Sequence, residues 1–184
     1  MTTAKKLLTA EEFALLPDDG HRRELIDGEV IELAPGNFRH GEIGGNVLVE
    51  ISVFVRERGL GRVSTLDPGF TLRRDPDRVR APDVAFIARD RLPPEEDLEH
   101  GFPEIVPDLV VEVVSPGDTA TDVQEKVEEW LAAGVRLVLV LYPRTRTVMA
   151  HRGLNEAHRY GPADTLDAEP VLPGFACPVA RLFE

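Results

Sequence analysis

Cysteine is almost missing from this chain, with Cys177 the only one in 184 residues. A lone cysteine excludes an internal disulfide framework and a cysteine-rich zinc site, and it suits a reducing compartment. It reads as a small apolar residue near the C-terminus. Aromatic residues are scarce too, at 6%, with one tryptophan and two tyrosines. A carboxylate-pair hydrolase of glycosides flanks an open sugar groove with aromatic platforms, so this scarcity weakens that reading. No apolar run is long enough to span a bilayer, and the opening MTTAKKLLTAEEF carries two lysines without the apolar stretch of a signal peptide. The expected location is the cytoplasm, with no membrane partner.

Lysine is the third shortage. Of the 21 basic residues 18 are arginine and three are lysine, namely Lys5, Lys6 and Lys126. The first two sit in the N-terminal tail, which leaves Lys126 alone in the folded body. Lysine is a compact ammonium whose pKa moves readily when sheltered, a property that suits chemistry rather than simple pairing. Positive charge as a whole is short, and the formal net charge is −12. That balance argues against a protein that coats nucleic acid nonspecifically. It leaves room for a local basic groove at Arg73, Arg74, Arg78 and Arg80, although a solvated loop of mixed charge is the simpler reading of such a run. The acids gather elsewhere, in Glu95, Glu96, Asp97 and Glu99 and in Glu125, Glu128 and Glu129.

What is present is the balance of a globular protein: 42% hydrophobic and 29% charged residues. The length suits one domain, expected to cover residues 1–184. Thr9 to Leu16 reads as a short helix with a Thr9/Glu12 capping box and Pro17 as its stop. "ELIDGEVIEL" is a hairpin signal around Asp27-Gly28. From His40 to Gly59 the apolar residues Ile43, Val47, Leu48, Ile51, Phe54 and Val55 follow helical spacing, with glycine as C-cap. "RVSTLDPGFTL", interrupted by Pro-Gly, and "APDVAFIA" at 81 to 88 read as strands, and Arg91 to Phe102 as a loop. Residues 108 to 115 form a buried strand. A helix from about 121 to 133 follows, capped by Thr121 and Gln124 and stopped by Gly134. "RLVLVLY" is a further buried strand, "TVMAHR" an edge strand, and the C-terminal part holds short strands and turns. Strand, crossover helix and strand within about 35 residues make a parallel unit beside antiparallel hairpins, hence a mixed β-sheet flanked by helices in an α/β fold.

One of these strands raises a chemical question. "PDLVVEVVS" is apolar enough to be covered on both faces, yet Glu112 stands in its middle. A carboxylate is almost never buried without a partner. Asp83, directly after Pro82, begins a neighbouring strand, and two acids converging there would repel unless something positive lay between them. A hard divalent cation suits oxygen ligands unaccompanied by histidine or cysteine clusters. On a helical wheel Lys126 falls at the border of its helix's apolar stripe, where its stem can follow the buried face and its head reach the acids. A structural ion pair for Glu112, and a turn or cap role for Asp83, stand beside that reading.

The segments "RRELIDGEVIELAPG", "HGEIGGNV", "VRAPDVAFI", "PDLVVEVVSPGD", "EKVEEWLAAGVRLVLVLYP" and "LPGFACPVARLF", spread over about residues 8 to 183, resemble the Uma family of restriction-endonuclease-like proteins, bacterial relatives of the PD-(D/E)xK phosphodiesterases. The resemblance implies a restriction-endonuclease-like core. It also implies that Asp83 and Glu112 are metal ligands together with the backbone of Val113, that Lys126 replaces the signature lysine absent at Val114, and that Glu24 completes the site. Glu24 can equally be a hairpin surface acid. His40 matches a recurring family histidine, an accessory candidate or a helix cap. The function implied is hydrolysis of DNA phosphodiester bonds with magnesium or manganese, and a homodimer is expected as the assembly. The alternative is a non-catalytic module of the same fold that binds nucleic acid or protein.

Overall fold

The computed structural model describes residues 6–65, 69–99 and 101–184. Its chain divides into two compact units, one drawn from residues 1–35, 67–81 and 93–106, the other from 36–66, 82–92 and 107–184. Strands and helices are numbered below along the whole chain.

In the first unit, α1 (Ala10–Ala14) opens on the expected capping box, with the Thr9 side chain accepting from the Glu12 amide and the Glu12 side chain from that of Thr9. β1 (Arg23–Ile26) and β2 (Glu29–Glu32) form the expected antiparallel hairpin. Asp27 and Gly28 both have positive φ, 53° and 78°, the pair of left-handed residues that a type I′ turn requires. β4 (Phe70–Arg73) and β5 (Arg78–Arg80) complete a four-stranded sheet in the order β2-β1-β5-β4. Phe13, Leu25 and Val79 form its small core, and Phe13 stacks on Phe102 at 5.1 Å between centroids.

Two expectations are corrected in this unit. The stretch read as a loop contains a short helix, α3 (Glu95–Glu99), whose first turn holds Glu95, Glu96 and Asp97. Acids there meet the positive end of the helix dipole. The arginine run is not a solvated loop, since Arg73 ends β4 and Arg78 and Arg80 stand in β5, and it is charge-paired: Arg73 and Arg78 with Asp27, Arg74 with Glu11, Asp77 and Glu104, and Arg80 with Glu24. Pro68, read as a break between strands, lies outside the described residues, and the strands on either side of it belong to different units.

The second unit is built on a six-stranded mixed sheet in the order β10-β9-β8-β7-β6-β3. α2 (Phe38–Arg58) is the long helix, with Asn37 accepting from the His40 amide at one end and left-handed Gly59 at the other. β3 (Gly61–Thr65), β6 (Val84–Ala88) and β7 (Leu109–Val113) are antiparallel neighbours. α4 (Ala120–Ala133) then crosses to β8 (Leu137–Tyr142), which runs parallel to β7, the one parallel pairing among the described strands. Ile43, Val47, Ile51 and Val55 of α2 join Leu109, Val111, Val113, Leu137, Leu139 and Leu141 in the main core. The residues alternating with these along the strands, Val110, Glu112, Val138 and Val140, face the other side, where α4 packs on β8.

Two details differ from expectation here too. The α4 capping box uses Thr119 and Asp122 rather than Thr121 and Gln124, while Gly134 ends the helix as expected. β9 (Thr147–Gly153) is not the edge, because β10 (Glu156–Tyr160) pairs outside it. β11 (Thr165–Asp167), β12 (Ala176–Pro178) and α5 (Val179–Leu182) close the chain.

Candidate functional site

The β6–β7 register places the two acids at one end of the same strand pair. Val84 lies opposite Val111 and Ala85 opposite Val110, and Asp83 and Glu112 are the next residues beyond that end of the ladder. The Val113 amide donates to Asp83 Oδ2 at 2.7 Å. Asp83 is held from two further directions: Thr65 Oγ1 donates to its carbonyl at 2.9 Å, and His40 Nε2 lies 3.0 Å from Oδ1. The other ring nitrogen of His40 is 3.2 Å from Ser115 Oγ. His40 therefore orients an acid from the first turn of α2.

Glu112 is gripped from α4. Trp130 Nε1 donates to Oε1 at 2.8 Å, and Lys126 Nζ lies 3.6 Å from Oε2. Both side chains of the acid pair are sheltered, Asp83 11% and Glu112 13% exposed. The border position of Lys126 on the helix thus translates into contact with the acid, as the wheel predicts. Trp130, buried on the apolar face of α4, is thus a hydrogen-bond donor as well as a packing residue. No local pattern links Ser115 to His40, 75 residues away.

Glu24 is only 1% exposed, so it is not the surface acid considered above. Its two oxygens accept from Arg80 Nη1 at 2.6 Å and the Ala81 amide at 3.1 Å, all within the first unit. A further acid escaped the sequence reading although it stands in the same segment as Glu112. Asp108 is fully buried and accepts from the Ala88 amide and from Arg91 at 2.7 Å, with Arg136 at 3.4 Å. Two guanidiniums and an amide make that a structural anchor.

Among the described residues no three His, Cys, Asp or Glu side chains cluster closely enough to form a ready-made metal cage. The donor set still fits one hard cation. Each carboxylate oxygen has two lone pairs, so accepting one hydrogen bond leaves a second pair for an ion. Magnesium binds through one or two carboxylates and keeps several waters for the remaining positions. A cavity of about 600 Å³ in this unit is lined by His40 and Ser115, the same residues that contact Asp83 and each other.

A family model described as "Putative restriction endonuclease", Uma2, matches residues 10–180. A crystal structure of a protein from Anabaena variabilis ATCC 29413, described as "a putative nuclease belonging to DUF820", is similar to this chain with a TM-score of 0.80 at 22% identity, covering 96% of this chain and 97% of that one. At that identity the likeness speaks for the fold, and it bears out the restriction-endonuclease-like core. No curated protein matches.

Proposed function

Since the chain belongs to the Uma2 family, described as "Putative restriction endonuclease", we propose that it hydrolyses phosphodiester bonds in DNA with the help of magnesium or manganese. The observation that carries this reading is the placement of two sheltered carboxylates, Asp83 and Glu112, just beyond one end of the β6–β7 ladder, with the body's only lysine 3.6 Å from Glu112. Asp83 and Glu112, with the carbonyl of Val113, would hold the ion. Bound there, the ion would lower the pKa of its water and polarise a phosphate oxygen. Lys126 would orient the attacking water and offset the charge that develops on the phosphate. Trp130 and His40 act through the acids, as positioning residues that fix one carboxylate each. The ligand set proposed here does not draw on Glu24, which lies in the first unit, held by Arg80 and the Ala81 amide.

The test is cleavage of supercoiled plasmid in the presence of magnesium or manganese. Glu112→Gln and Lys126→Ala each abolish cleavage on this reading, and a wild-type rate in either variant would refute the assignment. A second reading has its own support: every oxygen of the acid pair already has a protein partner, and the net charge is −12. Under that reading the chain is a nuclease-fold module that binds nucleic acid or protein without cutting, and neither substitution changes what it binds.

A further inference from the structure

The cavity beside Asp83 is larger than a metal ion and its waters need. At about 600 Å³ it lies within the range of sites that enclose small organic groups. Its lining includes Val114, Pro116, Tyr142 and Pro143 together with Arg39 and Arg144. Tyr142, the last residue of β8, is half-buried, and burial pushes its hydroxyl above the ordinary phenol value, so the ring stays neutral. Arg39 is fixed in place by Glu42 and by the carbonyl of Phe183, while Arg144 is exposed in the turn after β8. An apolar lining with one aromatic ring suits the face of a nucleobase, and two guanidiniums in the same lining suit the phosphates on either side.

We infer that this cavity receives one unpaired nucleotide of a DNA strand, its base against the Tyr142 ring and its phosphates toward Arg39 and Arg144. A base inside a duplex is covered on both faces by its neighbours and on its edge by its partner, so it cannot enter a walled recess without leaving the stack. The bound strand is therefore single, or has one nucleotide turned out of the helix. Continuity with the acid pair follows from His40 and Ser115, which line the cavity while His40 holds Asp83. The inference rests on the nuclease reading for its choice of a DNA strand, but binding can be measured apart from cleavage.

The experiment is fluorescence anisotropy of the full chain with a labelled single-stranded oligomer of about 12 nucleotides, the same sequence as duplex, and a free deoxynucleoside monophosphate as competitor, all in EDTA. The single strand binds more tightly than the duplex, and Tyr142→Ala weakens it about tenfold, within the range that stacking on one aromatic side chain supplies. Tyr142→Phe keeps the ring and the affinity. Arg144→Ala, at an exposed turn position that does not threaten folding, lowers the slope of log affinity against log salt by about one. Equal binding of duplex and single strand, an unchanged affinity in natively folded Tyr142→Ala, or an unchanged salt slope in Arg144→Ala overturns the inference. So does competition by the free mononucleotide at the oligomer's own affinity, which would make the cavity a small-nucleotide site. Tyr142-dependent binding of single strands by a protein that cuts nothing with manganese present would uphold the cavity's role and dismiss the nuclease reading.

Discussion

Replacing Trp130 with phenylalanine probes the contact that fixes Glu112. The indole is 1% exposed, and its N–H donates to Glu112 Oε1 at 2.8 Å. A hydrogen bond to a charged acceptor is worth about 1.5–3 kcal/mol, and shrinking a buried ring adds a cavity cost on the order of 1 kcal/mol. Glu112 keeps Lys126 and retains a little solvent contact, which returns part of the loss. The expected destabilisation is about 2–3 kcal/mol, a large share of the roughly 5–15 kcal/mol that holds an ordinary domain folded. Urea unfolding followed by circular dichroism measures it. The same substitution in a Glu112→Gln background isolates the charge: glutamine still accepts a hydrogen bond but is neutral, so the loss of the indole N–H costs about 1 kcal/mol less there. An identical cost in the two backgrounds would show that the indole contributes packing alone and would refute the reasoning.

Other consequences follow from buried and paired groups. Burial, with Glu50 nearby, pushes the Cys177 thiol up to about 11, so at about pH 8 it stays protonated and inert. A thiol reagent therefore labels no site in the native protein and one per chain in urea; rapid native labelling contradicts this. Burial raises the Asp77 pKa, but the Ala10 amide and Arg74 more than offset that and hold it below the ordinary carboxylate value. Its contribution is thus complete above the unfolded value of about 3.9 and disappears as pH falls through the lower folded value. Asp77→Asn flattens the acid limb of the stability curve, and an unaltered limb would count against the pairing.

Local physics made much of this fold legible. The three- and four-residue spacing of apolar side chains in α2, the left-handed Asp27-Gly28 pair and the apolar runs of β7, interrupted only by Glu112, and β8 each carry their own structural instruction. α4 shows where local reading slips. Threonine stands at both 119 and 121, so two capping boxes two residues apart compete in the sequence. Asp118 accepts from the Ser115 amide at 2.8 Å, which closes the preceding turn and leaves Thr119 as the cap. β10 escaped because four of its five residues are exposed; an edge strand held by backbone hydrogen bonds leaves little hydrophobic signal. β5 has three residues and hides within the arginine run.

At the site, the acids and Lys126 were legible because each violates its surroundings: a charge inside an apolar strand, a lysine among arginines. Their supports were not. Trp130 faces the sheet by simple periodicity, but which strand residue meets its N–H depends on how α4 lies across β7. His40 and Ser115 meet only because the start of α2 and the end of β7 share one end of the sheet. The difference between Asp108 and Glu112, two acids four residues apart, was equally invisible. One meets two arginines and an amide, the other an indole and a lysine, and only the fold decides which.

The acid pair itself is tested most directly by titrating manganese into the metal-free protein, followed by calorimetry and by the fluorescence of Trp130, the chain's single tryptophan. The account predicts uptake of one ion per chain with a change in indole emission, and loss of both in Asp83→Asn with the fold intact. No uptake by the wild type, or equal uptake by Asp83→Asn, would contradict it.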